Sequence, residues 1–391
     1  MVRLIFLLAL LTAFPPLATD MYLPAIPFLE GLWNVPLALI NLTLVLFFAT
    51  YCLCLLFYGP LSDRFGRKPP LIAGIILYTA ASFACAVTNG VVMLILARIF
   101  QAAGAAAASA ISLAIAKDRL DARNREVALG YIAVIMTLAP MISPMIGSLI
   151  MTWLTWQWIF VAQGGMGIVA LVSVIMTTES NPNPSVVEVA ALVKSYGRVL
   201  ANGRFMGVVG CASLVGVPHF AFIAGSSSMY ITDFHMSENT FALFFGANAL
   251  CLMMGSLVCA RLSHRMGTLR MMTIGFVGMV AGGILMASGL IPGPWGLALP
   301  MGLISFTGGL SRPPSNNLAL EQVERDTGTA SSAMIFTYFI VGALSMAAIS
   351  LDWPDKVRYL ALSAVGSGVV SLGFWLWIKK YIRIPYRNDG S

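Results

Sequence analysis

The chain has 391 residues, of which 59% are hydrophobic and only 10% are charged. A water-soluble fold of this length needs more polar surface, so the composition predicts a protein embedded in lipid. The net charge of +7 does not indicate a nucleic-acid partner, because the charged residues form short clusters between apolar runs. The six cysteines lie inside apolar runs without CxxC spacing, so we expect no metal site.

Twelve apolar runs are long enough to cross a bilayer, which takes about 20 residues. They lie near residues 4–26, 39–61, 69–88, 91–115, 127–151, 156–177, 204–231, 239–262, 269–290, 294–319, 327–350 and 357–379. One long polar stretch, 178–203, separates a six-helix half at 1–177 from another at 204–391. The sequence therefore predicts an all-α membrane protein in two halves joined by a linker.

The loop charges predict the orientation of the chain. Lys and Arg concentrate in the connections that follow the even-numbered spans and in both terminal segments, whereas the opposite loops hold only Lys356 and Arg358. Cytoplasmic loops collect such residues. Both termini and the 178–203 linker are therefore expected on the cytoplasmic side.

The two halves also repeat. The segment LSDRFG at 61–66, after the second span, recurs as LSHRMG at 262–267 after the eighth, with an offset of 201 residues. Two parallel repeats of this kind are expected to face each other across a central cavity and to alternate its access by rocking. In the second copy His264 replaces the acid, which predicts a weaker charge cluster there.

The charged residues inside the spans are the strongest candidates for function, because an ionisable group at that depth is costly. Asp20 is the one carboxylate well inside a span, in a helix that the prolines at 15, 16, 24 and 27 should bend or break. Burial favours its neutral form and a nearby cation its charged form, so Asp20 is the expected proton carrier with Arg98 as its cation. The alternative is a permanent Asp20–Arg98 ion pair that only joins two helices.

Arg312 lies deep in the tenth predicted span, and no acid lies inside the C-terminal spans. It is therefore a candidate for binding an anionic group of a substrate. Snorkelling or capping of backbone carbonyls is the alternative. His219, which follows a proline in span seven, either adds a hydrogen bond, titrates, or is structural.

The loop at 59–68 combines one acid with several cations. Asp63 lies next to Arg64 and Arg67, and we expect Gly59 and Gly66 to allow close approach of a neighbouring helix. This pattern predicts a charge-relay latch. A solvated basic loop is the alternative.

The sequence of this loop resembles that of the major facilitator superfamily. The loop GPLSDRFGRK at 59–68 matches the signature G-x-L-x-D-R-x-G-R-[RK] at its usual place between spans two and three. Further segments are similar to the Bcr/CflA drug:proton antiporters, and they lie at 20–24, 98–104, 139–147, 156–160 and 244–248. Only the last of them is in the C-terminal half.

The resemblance implies a twelve-helix transporter with a central cavity, located in a bacterial inner membrane. It implies export of small organic molecules or drugs by antiport, with the proton as coupling ion and no other cofactor. The first loop would then stabilise the outward-facing state, and Pro140, Pro144 and Gly147 of span five would form a kinked gate element. We expect a monomer in the lipid bilayer.

The candidate substrate-binding residues are Tyr22, Arg98, Gln101, His219, Phe220, Asn248, Arg312 and Asn316. An enzyme is not expected, because the chain lacks HExxH, paired acids and a phosphate-binding loop. The alternative function is export of an endogenous anionic metabolite such as a carboxylate siderophore, which Arg312 and His219 suggest.

Overall fold

A computed structural model describes residues 2–181 and 189–382, and every regular element in these residues is helical. The elements are, in chain order, α1 (Val2–Asp20), a 3₁₀ turn (Leu23–Ala25), α2 (Ile26–Trp33), α3 (Leu37–Phe65), α4 (Lys68–Ala86), α5 (Val91–Arg119), α6 (Ala122–Trp153), α7 (Gln157–Ile175), α8 (Val189–Ala201), α9 (Gly203–Leu214), α10 (Gly216–Ser227), a π-helical turn (Ser228–Asp233), α11 (Glu238–Met266), α12 (Thr268–Ala287), α13 (Pro294–Glu321), α14 (Thr327–Ile349) and α15 (Lys356–Ile378).

Eleven segments of the described residues are long and apolar enough to cross a membrane. The tenth predicted span, 294–319, is the 28-residue helix α13. It is more polar than the others, but a helix of this length spans about 42 Å. The predicted all-α membrane fold is thus confirmed.

The first span breaks, although not at its first prolines. Helix α1 continues through Pro15 and Pro16 and ends at Asp20. The chain then passes through the 3₁₀ turn that contains Pro24 and continues as α2. The prediction of a break is correct, and its position leaves Asp20 as the last residue of α1.

The seventh span is also interrupted, which the sequence analysis did not predict. Helix α9 ends at Leu214, and α10 begins at Gly216. Pro218 explains the interruption, because it has no N–H to donate to the carbonyl of Leu214.

The internal repeat extends over whole helices. Helices α3 and α11 each have 29 residues, and the offset of 201 maps one onto the other. Each is followed by a glycine with positive φ, +86° at Gly66 and +78° at Gly267. Helices α4 to α7 then recur in the same order as α12 to α15.

The chain forms two compact units. The first comprises Met1–Val187, Ile223–Ala249 and Met346–Asp352, and the second comprises Glu188–Phe222, Leu250–Ser345 and Trp353–Ser391. Both are packed through small residues, as is usual where helices approach closely in lipid.

One close approach illustrates this packing in each unit. A Cβ added to Gly104 would lie 2.5 Å from the backbone of Tyr78 in the first unit. In the second unit, a Cβ on Gly275 would lie 2.3 Å from the side chain of Ser311.

The linker contains a helix. The predicted interruption at 178–203 includes α8, which belongs to the second unit. Arg198 of α8 pairs with Asp326 at 2.7 Å, and Ser195 contacts Thr329 at 2.8 Å. Residues 182–188 of the linker lie outside the described residues.

Candidate functional site

Asp20 is buried at the C-terminal end of α1. Its side chain is only 4% exposed, and it accepts a hydrogen bond from Thr19 Oγ1 at 2.8 Å. Among the described residues it is the one buried carboxylate. The negative end of a helix dipole and the loss of water both disfavour a charge here. Asp20 therefore lies where a change of protonation alters local electrostatics strongly.

Arg98 does not form an ion pair with Asp20. Its Nη1 donates to the backbone oxygen of Ala18 at 2.9 Å and to Gln101 Oε1 at 2.6 Å. The permanent Asp20–Arg98 pair that the sequence left open is therefore absent from this structure. The two charges still lie within electrostatic range of each other.

The break after Asp20 explains this arrangement. The last carbonyls of a helix have no intrahelical N–H partner. Arg98 satisfies that of Ala18, and Gln163 Nε2 donates to Leu17 O at 3.2 Å. Gln101 links the group together, since its Nε2 donates to Gln163 Oε1 at 2.8 Å. Gln163 was not predicted from the sequence, although an amide inside the sixth span was a visible signal.

Aromatic rings surround the rest of the Arg98 guanidinium. Its central carbon lies 4.3 Å from the ring centroid of Phe47, 5.4 Å from that of Tyr22 and 5.9 Å from that of Phe160. Nε and Nη2 have no hydrogen-bond partner among the described residues. Cation–π attraction therefore offsets part of the cost of burying this charge. Tyr22 belongs to this cage, whereas Phe47 and Phe160 were not predicted.

The other candidate cation, Arg312, lies in a different environment. It is exposed, and its guanidinium stacks on Tyr338 at 4.1 Å. Tyr338 contacts Phe220 with 5.1 Å between ring centroids, and Phe220 contacts His219 at 5.9 Å. Arg312 makes no ion pair or carbonyl contact within the described part of the chain. Carbonyl capping therefore does not explain this arginine.

The remaining substrate candidates are divided between the units. Asn316 lines a small cavity of about 50 Å³ together with Arg312 and Tyr338 in the second unit. Asn248 is buried on α11 in the first unit, and its Oδ1 has no hydrogen-bond partner among the described residues. The structure thus groups Tyr22, Arg98 and Gln101 in one cluster. It groups the second-unit candidates in another, which consists of His219, Phe220, Arg312 and Asn316.

The first loop is organised around Arg67. Its guanidinium pairs with Asp63 at 2.5 Å and with Asp118, at the end of α5, at 2.7 Å. Partial burial lowers the pKa of Arg67, but Asp118 and Asp63 outweigh it and raise the pKa above its usual value. Arg64 instead packs over Phe65. The loop therefore binds the neighbouring helix α5 through Asp118, as a latch requires. This acid was not predicted from the sequence.

Glu179 is the second missed residue of this loop. Its carboxylate accepts the backbone N–H groups of Arg67 and Lys68, both at 2.9 Å, and those of Ser180 and Asn181. Partial burial raises the pKa of this carboxyl, but the four hydrogen bonds outweigh it and hold the pKa below its ordinary value. Glu179 thereby caps α4.

The predicted roles of two loop glycines are only partly correct. A Cβ added to Gly59 meets nothing within 4 Å, so the expected close helix approach there is wrong. Gly66 is required by its φ of +86°, and its Cβ would lie 3.0 Å from Glu179 Oε2. The side chain of His264, at the matching position of the second loop, lies outside the described residues.

In span five the expected close packing is present at Gly147. A Cβ there would lie 2.0 Å from the backbone oxygen of Met21, directly after the break in α1. Pro140 and Pro144 lie inside α6, which remains a continuous helix. Span five therefore packs against the segment that carries Asp20.

Comparison with known proteins identifies the family. The model described as "Major Facilitator Superfamily" matches residues 8–346. The chain belongs to the major facilitator superfamily. It is an integral membrane transporter and not an enzyme.

Two similar proteins indicate which type of transporter this is. A "Chloramphenicol resistance protein" of Pseudomonas aeruginosa is 26% identical, covering 90% of this chain and 86% of that protein. A "Bicyclomycin resistance protein homolog" of Haemophilus influenzae is 26% identical, covering 86% of both. These similarities are consistent with a drug exporter of the Bcr/CflA type.

A solved structure shares the fold. It is that of a bacterial homologue of the human lysosomal transporter Spinster, in an inward-facing and unoccupied conformation. Its TM-score is 0.79 at 13% identity, and the match covers 98% of each chain. The major facilitator fold predicted from the sequence is confirmed.

Proposed function

We propose that this transporter is an antiporter that exports small organic molecules from the cytoplasm in exchange for protons. The observation that carries the proposal is Asp20, a buried carboxylate at the end of a broken helix beside the buried Arg98. The relatives named for chloramphenicol and bicyclomycin resistance support drugs as the substrate class.

The geometry suggests how a proton acts on the helices. Taking up a proton at Asp20 removes a negative charge from the helix end that Arg98 caps. The next residue, Met21, packs against Gly147 of α6. A change at Asp20 is therefore passed directly to the contact between α1 and α6.

The proton gradient supplies enough free energy for useful export. One proton moving through about 100 mV releases about 2.3 kcal/mol. At about 1.4 kcal/mol per tenfold, this supports a gradient of roughly fiftyfold for a neutral solute.

Substrate-induced proton release from the purified protein tests the role of Asp20. Asp20→Asn should abolish release and uphill transport, because an amide cannot cycle its charge. Downhill exchange should survive. Asp352→Asn, which changes an exposed carboxylate, is the matched control and should behave as wild type. Release that persists in Asp20→Asn would mean that another group, with His219 as first candidate, carries the coupling.

Export of an anionic metabolite, such as a carboxylate siderophore, is the second candidate function. It is favoured by Arg312, which is exposed inside a span and has no acidic partner among the described residues. Arginines at such a depth usually face the bundle interior or a water-filled cavity rather than lipid. We infer that a soluble anion reaches Arg312 from such a cavity.

A panel of carboxylated and neutral solutes separates the two candidates. If Arg312 binds a substrate carboxylate, Arg312→Ala should weaken binding of carboxylated solutes by tenfold or more and of neutral solutes little, because a desolvated charge pair is worth about 2 kcal/mol or more. Tyr338→Phe keeps the ring beneath the guanidinium and should preserve the preference. An equal loss for both solute classes would mean that Arg312 is structural.

The first loop is proposed to set the balance between conformational states. Asp63→Asn should slow turnover while solute binding and expression remain near wild type, because Asp63 acts on the latch and not in the pocket. Unchanged turnover would leave the loop without a gating role. Asp121→Asn, which alters a nearby helix-capping acid, controls for a general loss of charge.

The proposed setting is the bacterial inner membrane, with a monomer whose termini and linker face the cytoplasm. Single cysteines at Lys194, which is exposed on α8, and at Ser391 should react with an impermeant reagent only after the membrane is permeabilised. Labelling at position 194 from outside intact cells would overturn this topology.

A further inference from the structure

The two repeats differ at the start of the helix that follows the basic loop. In the first unit, Glu179 fills the space beside Gly66, and its carboxylate accepts the N–H groups that begin α4. An anion at this place accepts hydrogen bonds from the free N–H groups of the first helical turn. It is also stabilised by the positive end of the helix dipole. The chain therefore supplies its own anion there.

At the matching place in the second unit this anion is missing. A Cβ added to Gly267 meets nothing within 4 Å, whereas the one on Gly66 meets Glu179. The offset of 201 residues aligns Glu179 with Lys380. Among the described side chains, none accepts a hydrogen bond from the first N–H groups of α12. A lysine thus stands where the first repeat has a carboxylate.

A crevice of about 590 Å³ lies at this position. Three cations line it, Arg270 of α12 and Lys379 and Lys380 after α15, and no acid does. None of the three forms an ion pair within the described part of the chain. Arg270 also lies in the first turn of α12, where the helix dipole disfavours a cation. The crevice therefore has a positive potential that no described side chain balances.

The rest of the crevice is apolar except for Thr273. Its walls include Met266, Leu269 and Ile274. Trp377 and Tyr381, which lie beside Lys379 and Lys380 in the chain but line a separate crevice of the same unit, are each 55% exposed. Aromatic rings of this kind gather where a membrane meets water. The crevice thus combines a cationic end with an apolar wall at the level of lipid head groups.

We propose that this crevice binds an anionic phospholipid, whose phosphate takes the place that Glu179 occupies in the first repeat. Arg270, Lys379 and Lys380 hold the phosphate, and the apolar side chains contact the acyl chains. A lipid fits this site better than a soluble anion, because three of the seven lining residues are apolar and offer a surface for acyl chains beside the cations. The proposal is independent of proton coupling.

Lipid retention in nanodiscs tests the site. The full-length protein is reconstituted in phosphatidylcholine with a minority of phosphatidylglycerol, and native mass spectrometry measures the phosphatidylglycerol that stays bound. Combining Arg270→Gln, Lys379→Gln and Lys380→Gln should weaken retention roughly a hundredfold, since each cation near the surface contributes about fivefold.

The matched control removes the same number of cations from a second crevice of the same unit. Arg198, Arg204 and Arg325 line it together with the acids Glu324 and Asp326, so its charge is largely balanced. Changing these three arginines to Gln should leave retention near wild type. Equal loss in both triple variants would reduce the effect to general attraction by a basic surface and would overturn the proposal.

A charge reversal separates lipid from free phosphate and from misfolding. Lys380→Glu restores the acid of the first repeat. It should therefore remove the response to phosphatidylglycerol while raising the melting temperature in pure phosphatidylcholine. If excess inorganic phosphate displaces the lipid from the wild type, the site takes a soluble anion and the proposal fails. An unchanged lipid response in folded Lys380→Glu would also overturn it.

Discussion

The first loop, residues 59–68, and the second loop, residues 260–269, contain glycines of nearly the same unusual backbone, with φ of +86° at Gly66 and +78° at Gly267. Their charges are balanced differently. In the first, Arg67 lies between two carboxylates, and Glu179 caps the next helix. In the second, the cations beside α12 have no acid partner among the described residues.

The difference shows which features a repeat must keep. A chain that turns sharply between two spanning helices needs glycine at one position, because other residues are strained there. Charge is not under that geometric constraint, since an anion from another helix, a lipid or water can balance a cation. The backbone is therefore the same in both halves, while the partners of the cations differ.

The comparison is tested most strongly at Arg67 and its counterpart Thr268. The Arg67 side chain is only 11% exposed, and its removal leaves two carboxylates facing each other. Arg67→Ala should lower the free energy of unfolding by about 3 kcal/mol, whereas Thr268→Ala should change it by less than about 0.5 kcal/mol. Thermal unfolding of both variants in one detergent measures this. Equal losses would mean that the first loop has no special charge balance.

The two turn glycines, Gly66 and Gly267, should contribute similar amounts to stability. Gly66→Ala and Gly267→Ala should each destabilise by about 2 kcal/mol, because their backbone region is almost exclusive to glycine. The loss at Gly66 should be slightly larger, since the new Cβ approaches Glu179 Oε2 at 3.0 Å. Chemical unfolding of the two variants checks both statements, and a harmless Gly267→Ala would contradict the shared backbone.

Removing the charge of Glu179 and removing that of its counterpart Lys380 should have different, smaller effects on stability. Glu179→Gln removes the charge that holds four N–H groups, and it should cost about 1 kcal/mol at neutral pH after allowance for solvent screening. Lys380→Gln in lipid-free detergent should cost almost nothing. A larger loss at Lys380 would reverse the comparison.

The effect at Glu179 should depend on pH. Because the pKa of Glu179 is lowered in the folded protein, its stabilisation is complete above the ordinary carboxyl pKa of 4.5 and is lost as pH falls through the lowered value. The stability difference between wild type and Glu179→Gln should therefore shrink towards zero on acidification. Unfolding curves from neutral pH downwards measure it, and a difference that grows in acid would contradict the assignment.

The sequence was enough to predict features that depend on local composition. Spans of about 20 apolar residues are required by bilayer thickness, so the helical membrane class followed from hydropathy alone. The repeat was visible because glycine is needed at the same turn of each half. Asp20 was identified because a charge at that depth is rare.

The tertiary structure decided the partners of each charge. Arg98 binds the carbonyl of Ala18 instead of Asp20, because α1 ends after Asp20 and leaves that carbonyl free. Asp118 and Glu179 meet Arg67 only when α5 and the end of α7 pack beside the loop. Open space beside Gly59 likewise depends on which helices pack there. Local sequence determines which segments form membrane-spanning helices. The contacts of the charged residues, however, join residues far apart in the chain, so only the packing of the helices selects them.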